Sequence, residues 1–108
     1  MKEITTAQFD IEVLKSEVPV LVDFYTDTCP PCRMMSPILT DIEEDSAGAL
    51  KVVKIDAAAD GQFTASFNVS AVPTFVLFRR GERIGQIIGA RSRREMQKWI
   101  SESIAPTS

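Results

Sequence analysis

Val20-Leu21-Val22-Asp23-Phe24-Tyr25 does more than any other segment to limit what this chain folds into. The run is β-branched and aromatic, apolar on both faces, and carries one charge. A strand with one wet face alternates polar and apolar residues; a strand without that alternation is covered on both sides. That is how a central parallel strand between helical layers reads. The neighbouring segments supply the layers. Met34, Met35, Ile38, Leu39 and Ile42 recur at helical spacing through about Asp45, which predicts an inward stripe, with Pro37 kinking the helix. Leu50 to Asp56 reads as a second parallel strand through Val52, Val53 and Ile55. Gln62 to Phe67 reads as a short helix with Phe63 and Phe67 on one face. Thr74 to Arg79 and Glu82 to Ile88 flank Arg80-Gly81, the pattern of an antiparallel hairpin.

The two ends carry helix-start signals. Thr5-Thr6-Ala7-Gln8 and Ser92-Arg93-Arg94-Glu95 both have capping-box spacing. The first opens a short helix with Phe9, Val13 and Leu14; the second opens one with Met96, Trp99, Ile100 and Ile104 inward. The order helix, strand, helix, strand, helix, strand, strand, helix predicts an α/β fold, a central mixed β-sheet flanked by helices on both faces. No repeat, linker or low-complexity tract divides the 108 residues, so residues 1–108 are expected to form a single domain. A chain of this length buries about two-thirds of its unfolded surface.

Composition removes several classes of function. Histidine is absent, which excludes histidine acid–base catalysis, Ser-His and Cys-His nucleophiles, and histidine metal ligands. Twelve basic against fifteen acidic residues give a net charge of −3, so nucleic acid is not the expected partner. The N-terminus has no apolar core of a secretory signal, and no apolar run approaches the roughly 18 residues that span a bilayer. The expectation is a cytoplasmic chain with no membrane partner.

The two cysteines, Cys29 and Cys32, frame two prolines where the first strong strand ends and the helix begins. Thiols three positions apart on a first helical turn reach disulfide geometry with little backbone movement. Cys29 would face the helix N-terminus, where free amides and the helix dipole favour the thiolate that attacks disulfides. Cys32, one turn in, would be more buried and would resolve the mixed disulfide. With no other Cys or His, the βαβ context points to redox chemistry. Two buried structural cysteines, or half a metal site completed by another chain, are the alternatives.

Val22-Asp23-Phe24-Tyr25-Thr26-Asp27-Thr28-Cys29-Pro30-Pro31-Cys32-Arg33-Met34-Met35-Ser36-Pro37 resembles the active-site segment of the thioredoxin family. The resemblance extends to Lys54-Ile55-Asp56, Val72-Pro73-Thr74-Phe75, Gly81 and Gly89, and covers essentially the whole chain. It implies the thioredoxin fold and a thiol–disulfide oxidoreductase that reduces protein disulfides through Cys29 and Cys32. It further implies that Asp23 is a buried carboxylate exchanging protons with Cys32, that Lys54 pairs with and tunes it, and that Pro73 follows a cis peptide bond opposite the cysteines. An Asp in an apolar strand would have a raised pKa, which suits that exchange; a solvent-facing Asp near a strand edge is the plain alternative. Thr28, Pro30, Pro31, Val72, Pro73, Gly89 and Ala90 would form the substrate groove, Val72 pairing with an extended substrate segment. The implied partners are disulfide-containing proteins and a thioredoxin reductase supplying electrons from NADPH. No bound cofactor is expected, and the chain is expected to be a monomer.

Three positions depart from the family pattern. Thr28 stands where the family usually has Trp, removing a large apolar contact beside the nucleophile. Pro30 replaces a usual Gly and deletes an amide. Tyr25 replaces a common Trp with another ring. An alternative within the same chemistry is a disulfide oxidase or isomerase with a more oxidising potential.

Overall fold

In the computed structural model residues 1–105 are described; the last three residues of the expected 1–108 domain lie outside them. The run at 20–25 is β2 (Val20–Tyr25), with all but its last residue buried. Around it stand β1 (Lys2–Glu3), β3 (Lys51–Asp56), β4 (Thr74–Arg79) and β5 (Glu82–Ile88), in the sheet order β1-β3-β2-β4-β5. β3 pairs in parallel with both β1 and β2, while β4 runs antiparallel to β2 and to β5. The helices are α1 (Pro30–Asp45), α2 (Gly61–Ser66) and α3 (Arg93–Ile104). This is the mixed sheet with flanking helices that the element order implies.

Strand alternation divides the core into two layers. Val20, Val22 and Phe24 of β2, with Val53, Ile55, Val76 and Phe78, pack against Phe9 and Val13 and against Phe63 and Phe67 of the α2 region. On the opposite face Leu21, Val52, Phe75 and Leu77 meet Met35, Leu39 and Ile42 of α1 and Met96 and Ile100 of α3. Ser92 caps α3, accepting from the Glu95 amide at 3.1 Å, while the Glu95 carboxylate accepts from the Ser92 amide. Among the described residues no helix is long and apolar enough to cross a membrane.

The structure departs from the sequence expectations in three places. β1 has only two residues, both exposed, too few to show alternation. The short N-terminal helix is a 3-10 turn, Thr6–Gln8, followed by a π-helical turn, Asp10–Leu14. Met34, expected inward, is 68 % exposed. Met35, Leu39 and Ile42 fill the buried stripe at i, i+4 and i+7, and Met34 is turned about 100° away from Met35. α1 continues through Pro37, which faces solvent, so the amide it lacks is lost on the wet side.

Candidate active site

After β2 the chain turns through Thr26-Asp27-Thr28 and enters α1 with Cys29 as its N-cap. Cys29 and Cys32 are joined in a disulfide with Cα atoms 5.2 Å apart. Cys29 Sγ accepts a hydrogen bond from the Cys32 amide at 3.2 Å. Pro30 and Pro31 occupy the first two helical positions and have no N–H, so this amide is the first-turn donor available to the sulfur. Cys29 retains 7 % of its surface and Cys32 only 3 %, the order expected for an attacking and a resolving thiol.

Asp23 lies between Leu21 and Tyr25 on β2, and alternation turns it to the α1 side of the sheet. It is 1 % exposed, and its Oδ1 has no hydrogen-bond partner among the described residues. Burial pushes its carboxyl up to about 7 and outweighs the Lys54 charge, which pulls the other way. Lys54 is its register neighbour on β3. The implied Asp23–Lys54 pair is not a contact ion pair: Lys54 Nζ lies 5.0 Å from the centroid of the Tyr25 ring and acts on Asp23 through space. The Tyr25 hydroxyl in turn donates to the Glu3 carboxylate, which ties this corner of the sheet to β1.

Register brings the remaining expected residues to the same end of the sheet. Phe24 stands opposite Thr74, and Thr74 opposite Ile88, so Val72-Pro73 and Gly89-Ala90 flank the segment leading to Cys29. The Val72–Pro73 bond is cis, and Pro73 O accepts from the Gly89 amide at 2.8 Å. Gly89 has φ +93°, a conformation that favours glycine. Thr28, Pro30, Pro31 and Ala90 are exposed and Val72 is half-buried.

Two exposed apolar residues beside the site were not expected there from the sequence. Ile88 is 51 % exposed beside Gly89, and Met34 is exposed two positions after Cys32. The doublet Ile87-Ile88 held the first signal, because strand alternation sends one of two adjacent apolar residues outward. Behind Cys32, a cleft of about 190 Å³ is lined by Tyr25, Asp27, Cys32, Arg33, Ser36 and Lys54, together with Thr26. Arg33 Nη2 donates to Asp27 O at 3.0 Å, joining two of its lining residues.

Comparison with known proteins gives the same picture. A family model described as Thioredoxin matches residues 1–102. A thioredoxin of Rickettsia bellii is 35 % identical over 101 residues, covering 94 % of this chain and 96 % of that protein. One of Porphyra purpurea is 34 % identical over 105 residues, covering 97 % and 98 % respectively. A Mycobacterium leprae protein named bifunctional thioredoxin reductase/thioredoxin is 34 % identical over 102 residues, 94 % of this chain and 22 % of that protein.

Proposed function

The chain belongs to the thioredoxin family and is a thiol–disulfide oxidoreductase, and from that premise we propose that it acts as a reductant of protein disulfides. In the dithiol form the Cys29 thiolate attacks one sulfur of a substrate disulfide. That S–S bond breaks, a mixed disulfide forms on Cys29, and the first substrate sulfur leaves as a thiolate and takes a proton. Cys32 then loses its proton to the Asp23 carboxylate and attacks Cys29 Sγ. The mixed disulfide breaks, the Cys29–Cys32 bond closes, and the second substrate sulfur leaves and is protonated. Two electrons pass to the substrate, and both protons end on its thiols.

The observation that carries this reading is the Cys29–Cys32 disulfide on the first turn of α1, on the side of the sheet that buries Asp23. A carboxyl poised at about 7 exchanges protons with a thiol at neutral pH, where an ordinary Asp is too weak a base. Lys54 tunes it electrostatically. Val72, beside cis-Pro73, offers backbone groups to an extended substrate segment, and Gly89 and Ala90 let that segment come close. Thr28, Pro30 and Pro31 form the rim nearest the nucleophile.

The two sulfurs hold both electrons, so no resident cofactor takes part. A thioredoxin reductase drawing on NADPH returns the dithiol; the Mycobacterium leprae relative, whose name joins a reductase and a thioredoxin, supports such a coupling. A monomer acting in the cytoplasm, where thiols are kept reduced, suits this direction of electron flow.

The test is a trap. Cys32→Ser removes the resolving thiol, so mixed disulfides on Cys29 accumulate and can be isolated from cell extract, while Cys29→Ser yields none. An empty trap with an accessible Cys29 thiolate overturns the reading. The reduction potential separates the directions: about −270 mV is the general value for reductants of this family, and about −180 mV or higher marks an oxidase or isomerase.

A further inference from the structure

The cleft behind Cys32 holds a hydroxyl that disulfide exchange as described does not use. Ser36 follows Cys32 by four residues on α1, so the two share a helix face, and both line the cleft. Helical side chains lean toward the helix N-terminus, which carries the Ser36 hydroxyl back over the Cys32 turn. A helical serine in this chain can turn its hydroxyl back on its own helix: Ser103, in the same i, i+4 relation to Trp99, donates to Trp99 O at 2.7 Å. Ser36 makes no such bond to the Cys32 carbonyl, nor to any other protein group among the described residues.

When the disulfide is reduced, an incoming thiolate attacks Cys29 Sγ and the electron pair of the broken S–S bond leaves on Cys32 Sγ. An anion then appears on a residue only 3 % exposed, where a sulfur without hydrogen-bond donors is costly. The nearby donors are already directed elsewhere. The Cys32 amide faces Cys29 Sγ, the prolines have no N–H, Arg33 holds Asp27 O, and Lys54 lies over Tyr25. Thr26, the other hydroxyl of the cleft, comes from the loop ahead of Cys29 and not from the helix face of Cys32.

We propose that the Ser36 hydroxyl donates a hydrogen bond to the Cys32 thiolate whenever the disulfide opens, stabilising the resolving sulfur as an anion. The proposal rests on the thiol-exchange reading of the pair and deepens it. The charged and titratable groups around Cys32 are Cys29, its disulfide partner, and Tyr25, Asp27, Arg33 and Lys54, which line the cleft with it, while Asp23 of β2 is buried on the same side of the sheet. A neutral hydroxyl adds to these without changing the net charge, so its removal leaves the charges around Cys32 as they are.

The experiment titrates Cys32 by thiolate absorbance in the full-length Cys29→Ser protein, which leaves a single thiol. Adding Ser36→Ala is expected to raise the Cys32 midpoint by about one pH unit, a roughly tenfold loss of thiolate at a given pH. Ser36→Thr, which keeps the hydroxyl, is expected to stay near the parent, and Ser36→Val, of the same shape without it, to follow Ala. Thr26→Val is expected to leave the midpoint in place. The proposal falls if Ala leaves the midpoint within a few tenths of a unit, or if Thr and Val titrate alike. The Thr–Val comparison decides the matter even where Ala disturbs the fold. Reduction of a protein disulfide by the unaltered chain tests the exchange reading separately, so the two failures are distinguishable.

Discussion

Asp23 is the residue whose placement is hardest to justify by stability alone. Its carboxyl is buried in the sheet with one oxygen unpartnered, and folding raises its pKa from 3.8 to about 7. Below about pH 4 the group is protonated in both folded and unfolded chains and costs nothing extra. As pH rises the unfolded chain ionises freely while the folded one holds its proton, so stability falls until about pH 7 and is level above it. Asp23→Ala removes this penalty. The variant in its disulfide form is expected to gain on the parent by up to about 4 kcal/mol between pH 4 and pH 8. Denaturant midpoints across that range check it; a difference independent of pH would mean that the carboxyl is not desolvated. The one charge within an apolar run already marked this residue in the sequence. That the Lys54 ammonium would settle over the Tyr25 ring was not legible there, because it depends on packing between side chains of two strands.

Elements were legible where a periodic pattern had room to repeat. The boundaries of β2, β4 and β5 follow from their apolar runs and from the Arg80-Gly81 turn, in which both residues have positive φ. Two-residue β1 and the π-helical turn at Asp10–Leu14 were not, since neither holds a full period of its own conformation. The cleft behind Cys32 stayed hidden for a different reason: β2, β3 and α1 each supply part of its lining, so no local spacing marks it. The π-helical turn is tied down by charge. Lys2 Nζ bonds Glu12 Oε1 at 2.6 Å, and Lys51 bonds both the Glu12 carboxylate and its backbone oxygen, which joins the turn to β1 and β3. The hydrogen bonds from these lysines lower the Glu12 carboxyl to about 2. Its contribution is therefore present above about pH 4.5 and is lost as pH falls toward 2. Glu12→Gln is expected to lower the thermal midpoint at pH 7, with the gap to the parent closing as the pH is taken down through that window. A gap equally wide at pH 2 would assign the effect to packing and not to the charges.

At the scale of the molecule, two apolar layers share one sheet, and the strands lend side chains to them alternately. On one face Phe9 packs against Phe63, Phe67 and Phe78 with ring centroids 5.0, 5.3 and 5.5 Å away. Across the sheet Trp99, the single tryptophan, lies so close to Gly85 that a Cβ there would come within 3.1 Å of its ring. No strand between these layers can leave one without leaving the other: Phe78 and Leu77 are neighbours on β4, as Val20 and Leu21 are on β2. If residues 1–108 fold as one domain, damage on the phenylalanine face must therefore be felt at Trp99. Phe9→Ala empties a ring-sized volume and is expected to cost about 3–5 kcal/mol. The unfolding transition followed by Trp99 fluorescence should move to lower denaturant together with the one followed by far-UV circular dichroism, the two coinciding in parent and variant alike. A Trp99 transition that stays at the parent midpoint while the dichroism shifts would show the two faces unfolding apart, and the single-domain reading would fail.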